Sequence, residues 1–343
     1  MSSNSSLQLS TEQLDPNQPS NKQLGSKQLN GKQLSASQIA ILGAGAIGQL
    51  IYHQLANAKQ QPHVGLSFIG RKIQSKVVPF RFTRLDGQVV TSNAKVIGLE
   101  DYAKELANTA LLIVSVKAHQ VKPALAAVLP HLPGNTHILL LHNGMGPHLE
   151  VQPYLAGRGL SLGTTSQGAL RLDKYHVKQT GSGLTQLGPF IAPQLDDNIR
   201  ERLLSSIDQS TWYADILPLL WQKLAINVAI NPLTAIHDCP NGELAKPQYR
   251  NAINNAVSEL IKVAAADGLT LDKALLIERV YQVIELTAQN FSSMHQDVYH
   301  QRQTEIDAIN GFVLKRAMVH HIPAPVNQSL AQQITQLEAK YTR

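Results

Sequence analysis

The sequence contains one cysteine, Cys239, among 343 residues. A single cysteine excludes an intrachain disulfide framework and argues against a cysteine-based metal site. No run of 18 apolar residues occurs, so no membrane span is predicted, and residues 1–36 lack the apolar core of a signal peptide. We therefore expect a cytoplasmic protein.

Charged residues are also few, at 16%, and the formal net charge is only +6. This balance does not suit a protein that coats nucleic acid. It fits either an ordinary solvated surface or a protein whose ligands are phosphates or carboxylates. The 43% of apolar residues provides for extensive cores, and the length suits two domains.

The first 36 residues are polar and of low complexity, with the triplet Lys-Gln-Leu beginning at Lys22, Lys27 and Lys32. This triplet recurs every five residues, a spacing that matches neither a helix nor a strand. Such a segment buries too little to offset its ordering entropy, so we predict a disordered tail.

Short apolar runs then alternate with helical stretches. Strands are predicted at Ile39–Leu42, Val64–Ile69, Val89–Val90, Ala110–Val116 and Ile138–Leu141, with a first helix over Gln49–Lys59. This alternation predicts a parallel sheet with crossover helices. We assign residues 37–211 to an α/β, Rossmann-type domain.

The pattern becomes helical after about residue 212. Helices are predicted over Trp212–Asn231, Pro247–Asp267, Leu271–Ser293 and Asp297–His320. We assign residues 212–343 to an all-helical substrate domain.

A glycine-rich turn links the first strand to the first helix. Its residues are Gly43, Ala44, Gly45, Ala46, Ile47 and Gly48. The first glycine allows a tight turn, the second lets a pyrophosphate approach the backbone, and the third lets helix and strand pack closely. The alternative is a glycine-rich turn that binds nothing.

The second strand bears on the choice of cofactor. An NAD site usually has an acidic residue at its end, whereas this chain has Gly70, Arg71 and Lys72. Two cations suit a 2′-phosphate, and we predict NADP(H) with Arg71 as its ligand. The alternative is a solvated basic turn.

Polar residues follow two further strands. Lys117 comes after one apolar run and Asn143 after the next, so both are expected at the ligand-binding edge of the sheet. We interpret the neighbouring His119 and His142 as structural.

The segment LLWQKLAINVAINP places Lys223, Asn227 and Asn231 at intervals of four residues, on one face of an otherwise apolar helix. A lysine among apolar residues is costly to bury without a partner. The alternative is a lysine whose ammonium reaches solvent beside two amides. Pro232 is expected to end or kink this helix.

In the last helical block, Ser293, Asp297 and Glu305 are four and eight residues apart and are expected to share a face. Simple solvation of that face is the alternative. The role of His295 stays open between substrate contact and packing.

Taken together, the motifs resemble the ketopantoate reductase family. They are GAGAIG at Gly43, VKAHQV at Val116, HNGMG at His142, WQKLAINVAINPLTAI at Trp221, CPNGEL at Cys239, SSMHQD at Ser292 and TEIDAINGF at Thr304. The resemblance implies NADPH-dependent reduction of 2-dehydropantoate to pantoate, on the route to pantothenate and coenzyme A. It also implies a 6-phosphogluconate-dehydrogenase-like fold, with a Rossmann domain followed by a helical domain.

The resemblance implies roles for particular residues. Lys223 resembles the general acid, and Glu305 a carboxylate at the substrate and cofactor. Asn227, Asn231 and Ser293 resemble substrate ligands. Asn143 and Lys117 resemble residues at the cofactor–substrate junction, and Arg71 resembles the 2′-phosphate ligand.

We expect a keto acid as the substrate, no metal, and no nucleic-acid or membrane partner. A homodimer is one candidate for the oligomeric state. The rival functions are a reductase of another 2-keto or 3-hydroxy acid, and a non-catalytic NADPH sensor. Lys223 and Glu305 argue against a sensor, which needs no proton donor.

Overall fold

The computed structural model describes residues 38–57 and 65–341. The predicted tail at residues 1–36 lies outside these ranges, as do the end of the predicted first helix and the start of the predicted second strand, between residues 58 and 64. Apolar residues form the centre of the fold, where the middle strands of one large sheet are buried on both faces.

This sheet has eleven strands in the described part of the chain. They are β1 (Gln38–Leu42), β2 (Leu66–Ile69), β3 (Lys76–Thr83), β4 (Val89–Ile97), β5 (Thr109–Val114), β6 (His137–Leu141), β7 (Leu160–Thr165), β8 (Gly168–Asp173), β9 (His176–Gly181), β10 (Thr185–Ile191) and β11 (Ser210–Trp212). Their order across the sheet is β11-β10-β7-β6-β5-β1-β2-β4-β3-β9-β8.

The prediction of a parallel sheet is wrong at the flanks. Strands β2, β1, β5, β6 and β7 are parallel, whereas β3 pairs antiparallel with β4, β8 with β9, and β10 with β7. The flanking strands β3 and β8 were missed because they are not continuous apolar runs. Buried and exposed residues alternate along β3, and most of β8 is exposed.

Eleven α-helices accompany the sheet in the same described ranges. They are α1 (Ala46–Ala56), α2 (Tyr102–Glu105), α3 (Ala118–Val128), α4 (Pro147–Val151), α5 (Asp197–Ser206), α6 (Leu217–His237), α7 (Arg250–Ala266), α8 (Lys273–Leu286), α9 (Ser293–Tyr299), α10 (Asn310–Val319) and α11 (Pro325–Glu338). The helices after the sheet surround α6, which packs against α7, α8, α9 and α11. The structure therefore confirms the predicted fold class, a Rossmann-type sheet followed by a helical region.

Pro232 was expected to end or kink helix α6, and of these two alternatives the structure excludes the first, because the helix continues to His237. A proline inside a helix leaves the carbonyl four residues earlier without its usual donor. Here that carbonyl belongs to Val228, and it accepts a hydrogen bond at 3.4 Å from the side-chain amide of Asn310, which is fully buried on α10. The proline is tolerated because a neighbouring helix supplies the missing donor.

The predicted helix over Asp297–His320 is interrupted, and this changes the expected shared face. Ser293 and Asp297 lie on α9, which ends at Tyr299, whereas Glu305 lies beyond it and precedes a short 3-10 helix at Ile306–Ala308. The three residues therefore do not share one helical face. The four-residue spacing holds only within α9. The segment between α9 and the 3-10 helix contains no proline or glycine, so no residue there indicates that the helix ends.

Within the described ranges, no helix combines the length and the apolar character needed to cross a membrane.

Candidate active site

The glycine-rich loop joins β1 to α1, and two of its glycines are required by space. Gly43 has a φ of 119°, which favours glycine, and a Cβ there would lie 2.9 Å from backbone atoms of Ser115 and Val116. At Gly48 a Cβ would lie only 1.9 Å from the carbonyl oxygen of Gly43. The hydroxyl of Ser115 donates to that carbonyl at 3.0 Å, which fixes the loop against the end of β5.

Gly45 differs from both, because a Cβ there would meet no described atom within 4 Å. Gly45 is the N-cap of α1, and no side chain caps this helix end. The first backbone N–H groups of a helix have no partner within the helix and favour an anion. The space beside Gly45 and the start of α1 together fit the pyrophosphate of a dinucleotide.

Arg71 follows the carboxyl end of β2, one residue after Gly70. Its side chain is exposed and forms no hydrogen bond or ion pair with other residues in the described ranges. Lys72 is exposed beside it. Among the described residues, the guanidinium thus has no anionic partner.

The loop after β6 brings Asn143 to the helical region. Gly144 has a φ of 76°, and a Cβ on it would lie 2.5 Å from the carbonyl oxygen of Ala308. The same carbonyl accepts the backbone N–H of Met145 at 2.7 Å. Close backbone contact with the 3-10 helix thus places Asn143 near Glu305, which immediately precedes that helix.

Lys223 lies on α6 and points to the edge of the sheet. Its ammonium donates to Asn143 Oδ1 at 3.2 Å and to the carbonyl oxygen of Thr165, at the end of β7, at 2.7 Å. Burial lowers the pKa of Lys223 to about 8, and the nearby Glu305 carboxylate opposes this shift. The lysine is thus held by two acceptors, with a pKa close to neutral pH.

Glu305 completes a chain of hydrogen bonds. Asn143 Nδ2 donates to its Oε2 at 3.4 Å, and the backbone N–H of Ala118, at the start of α3, donates to its Oε1 at 3.0 Å. Burial raises the pKa of Glu305, while the Ala118 N–H and the Lys117 ammonium favour its ionised form. Lysine, asparagine and glutamate are therefore connected across three separate parts of the chain.

Lys117 is the N-cap residue of α3, but its side chain reaches the helical region. Its ammonium donates to the carbonyl of Gln303 at 3.0 Å and pairs with Asp297 Oδ2 at 2.6 Å. Asp297 is buried and also accepts from Arg302. Lys117 thus joins the end of β5 to α9 close to Glu305.

The remaining predicted substrate ligands occupy three different environments. Asn227 is half-buried and lines a small cavity together with Lys223, His142, Gly144 and Thr164, among others. Asn231 lies two helical turns beyond Lys223 on α6 and is buried, whereas Ser293 is the exposed first residue of α9.

Sequence reasoning missed the contribution of Thr165, because the atom that binds Lys223 is a backbone carbonyl and carries no residue signature. It also missed Ser115 and Gln49. Gln49 Nε2 donates to the carbonyl of Ala44 at 2.9 Å and supports the glycine-rich loop from inside α1. Two imidazoles lie near the site. His142 lines the small cavity and His119 lies on α3, and burial lowers the pKa of both. In the described part of the chain, no group of three or more His, Cys, Asp or Glu side chains could hold a metal ion.

Two family models match the chain. Residues 39–191 match the model described as ketopantoate reductase PanE/ApbA, and residues 215–338 match the model described as ketopantoate reductase PanE/ApbA C terminal. Among curated proteins, the chain is 38% identical over 304 residues to 2-dehydropantoate 2-reductase of Vibrio cholerae serotype O1, covering 88% of this chain and 98% of that protein. It is 36% identical over 306 residues to the protein of the same name from Escherichia coli O157:H7, covering 88% and 96%.

A solved structure shares the fold at lower sequence identity. It is the ternary structure of D-mandelate dehydrogenase with NADH and anilino(oxo)acetate, with a TM-score of 0.78 and 22% identity over 89% of this chain and 99% of that one.

Proposed function

The chain belongs to the ketopantoate reductase family and catalyses the reduction of 2-dehydropantoate, and we propose that it does so with NADPH as hydride donor and Lys223 as proton donor. The observation that carries this proposal is the hydrogen-bonded chain from Lys223 through Asn143 to Glu305. It connects a proton donor on α6 to residues at the ligand-binding edge of the sheet.

We assign the nicotinamide cofactor to the loop Gly43–Gly48 and to the start of α1. The open space beside Gly45 and the uncapped helix end suit its pyrophosphate. The exposed Arg71 supports the choice of NADPH, because a planar guanidinium binds a 2′-phosphate through two parallel hydrogen bonds. When bound, the cofactor supplies the hydride that reduces the keto carbon.

Lys223 is assigned as the general acid because its ammonium keeps one N–H donor for the substrate. An ammonium group has three N–H donors and no acceptor. Two of them are directed to Asn143 Oδ1 and the Thr165 carbonyl, so one remains for the keto oxygen of the substrate. As hydride arrives at the carbon, negative charge develops on that oxygen. The ammonium stabilises this charge and then donates the proton that completes the hydroxyl.

The side-chain amide of Asn143 lies between two ionisable groups, Lys223 and Glu305. Because the ammonium can only donate, the Oδ1 atom of Asn143 must face Lys223, and its Nδ2 atom then faces Glu305. Glu305 accepts hydrogen bonds at both oxygens, and these bonds, together with the Lys117 ammonium, favour its ionised form against the burial that raises its pKa. Its negative charge raises the pKa of Lys223 and so favours the protonated acid.

Asn227, Asn231 and Ser293 are assigned to the substrate. Their amide and hydroxyl groups are neutral donors that suit the carboxylate and hydroxyl of 2-dehydropantoate. Asn227 is supported by its position in the same small cavity as Lys223. We further propose that residues 37–211 act as the cofactor domain and residues 212–343 as the substrate domain, with Lys117 at the cofactor–substrate junction.

The test is a rate comparison. Purified protein is incubated with NADPH or NADH and with 2-dehydropantoate or unbranched and aromatic 2-keto acids, while the loss of nicotinamide absorbance is followed. The proposal expects the highest kcat/KM for 2-dehydropantoate with NADPH. A higher value with another keto acid, or with NADH, would overturn the corresponding assignment.

A further inference from the structure

Helix α9 carries the predicted substrate ligand Ser293 in its first turn, together with a buried histidine, His295. The histidine is 6% exposed. Its Nε2 lies 2.7 Å from Asp238 Oδ1, and its Nδ1 is buried without a hydrogen-bond partner in the described part of the chain. The imidazole therefore has one polar side-chain partner among the described residues.

That partner lies at the end of the helix that carries the proposed proton donor. Asp238 is the C-cap of α6, in a left-handed conformation with a φ of 47°, and its backbone N–H donates to the carbonyl of Thr234. Its side chain is 85% exposed. The bond to His295 therefore ties α9 to the end of α6.

A second contact joins the same two helices. Thr234 Oγ1 donates to Ser292 Oγ at 2.7 Å, and Ser292 caps α9 by accepting the backbone N–H of His295 at 3.1 Å. Thr234 is buried in the last turn of α6. The hydroxyl pair fixes where α9 begins, and the buried Met294 packs into the same apolar core as α6. The His295–Asp238 bond adds a polar contact at the end of α6.

Two aromatic rings hold the imidazole without fixing its relation to α6. The ring of Phe291 stacks on it with centroids 4.4 Å apart, and the ring of Tyr299 lies 6.3 Å away at an interplanar angle of 11°. Tyr299 is on α9 itself and Phe291 is just before it. These contacts are internal to the segment. Only the bond to Asp238 extends from the imidazole to α6.

We propose that His295 is a positioning residue for substrate binding: its hydrogen bond to Asp238 holds the first turn of α9, with Ser293, at a fixed distance from Asn227 and Asn231 on α6. The inference rests on the proposed function, in which these residues bind the substrate from two sides. His295 acts through the geometry of the pocket and takes no part in proton or hydride transfer.

The proposal predicts a separation of kinetic parameters. Without the His295–Asp238 hydrogen bond, the distance from Ser293 to the two asparagines on α6 is held less tightly. The substrate then binds more weakly, and KM for 2-dehydropantoate rises. A spacing error of this kind is expected to cost about tenfold in KM. The value of kcat should stay within about twofold, because Lys223, Asn143 and Glu305 do not contact the His295–Asp238 pair. Affinity for NADPH should be unchanged.

The experiment compares H295L, D238A and the double variant with wild type by steady-state kinetics, with NADPH affinity measured by fluorescence titration. Each single variant should raise KM about tenfold, and the double variant should raise it no further, because one bond is lost in all three. H295Q should restore most of the wild-type KM, since its amide reaches about as far as Nε2 and donates to Asp238.

H320Q is the matched control, because His320 Nε2 also lies 2.6 Å from an aspartate, Asp267, but at the end of α10. It should leave KM unchanged. A raised KM in H295L with an unchanged KM in D238A would overturn the proposal and leave substrate contact or packing as the role of His295. Unchanged KM in both would also overturn it. Should H295L fail to fold, D238A decides, since its side chain is exposed.

Failure of the proposed function has a different signature. If wild-type protein shows no 2-dehydropantoate reduction, the assignment of the reaction is wrong before any variant is compared. If wild type is active and the variants are kinetically normal, only the positioning role of His295 is wrong.

Discussion

The ammonium of Lys223 lies 2.7 Å from the carbonyl oxygen of Thr165, a residue 58 positions earlier in the chain. This contact joins α6 directly to the end of β7. The carbonyl fixes the ammonium without adding a negative charge beside it. Burial can therefore lower the pKa of Lys223 to about 8 despite the hydrogen bond. A lysine that is held by hydrogen bonds and has a lowered pKa suits the proposed role of proton donor.

Lys223→Ala should lower the rate of hydride transfer at saturating 2-dehydropantoate by about 10²–10⁴-fold, the usual contribution of a general acid. Single-turnover kinetics measures this rate directly. Affinity for NADPH should barely change, because the glycine-rich loop is a separate set of residues. Lys223→Arg is the matched variant. It keeps the positive charge but is a poor acid, so it should also be slow. A rate within a few-fold of wild type in Lys223→Ala would make the lysine structural.

The reduction rate should fall as the pH rises through about 8. In the proposed mechanism the protonated form of Lys223 is the acid, and burial lowers its pKa to about 8, so raising the pH removes the donor. Single-turnover rates from pH 6 to 10, at saturating cofactor and substrate, report this titration. The residual rate of Lys223→Ala should lack the same decline. A wild-type rate that stays level to pH 10 would contradict the assignment.

Arg71→Ala should weaken NADPH binding by about 10- to 100-fold, the equivalent of about 1.5–3 kcal/mol for one charge-assisted hydrogen bond. NADH has no 2′-phosphate, so its affinity should change little. Fluorescence titration with both cofactors measures the two effects. Lys72→Ala is the neighbouring control and should have the smaller effect. Equal weakening of both cofactors by Arg71→Ala would move the phosphate site elsewhere.

The glycine-rich loop offers a matched pair of substitutions. Gly45→Ala meets open space in the protein and should leave the melting temperature unchanged, but its methyl group should occupy pyrophosphate space and weaken NADPH binding at least about tenfold. Gly48→Ala should lower the free energy of unfolding by about 1–3 kcal/mol, because its Cβ would lie 1.9 Å from the Gly43 carbonyl. Thermal melting and cofactor titration of both variants separate the two roles. Normal NADPH binding by Gly45→Ala would argue against this cofactor site.

Asn310→Leu should lower the free energy of unfolding by about 1–3 kcal/mol, since it leaves the buried Val228 carbonyl without a donor. Asn310 also donates to Asn327 Oδ1 at 3.0 Å, so a second buried group loses its partner. Denaturant unfolding provides the measurement. Asn251→Leu, at an exposed position on α7, is the control and should change stability little. Equal stabilities for the two variants would show that Pro232 is tolerated for another reason.

Local patterns determined a large part of this protein. The glycine-rich turn, the apolar central strands and the spacing of Lys223, Asn227 and Asn231 depend on neighbours within a few residues. A backbone turn, a buried strand and a helical face each have a local sequence signature. These patterns were sufficient to predict the fold class and to place the lysine and the asparagines on one helix.

The tertiary structure alone decided which distant groups meet. Glu305 was expected on a face shared with Ser293. It instead lies just before a 3-10 helix and accepts hydrogen bonds from Asn143 and from the backbone N–H of Ala118. The acceptor for Lys223 is a backbone carbonyl, and every residue has one, so no sequence pattern marks it. The donor that lets α6 continue past Pro232 likewise comes from another helix. Such contacts depend on the packing of whole elements, which the periodicity of one segment does not encode.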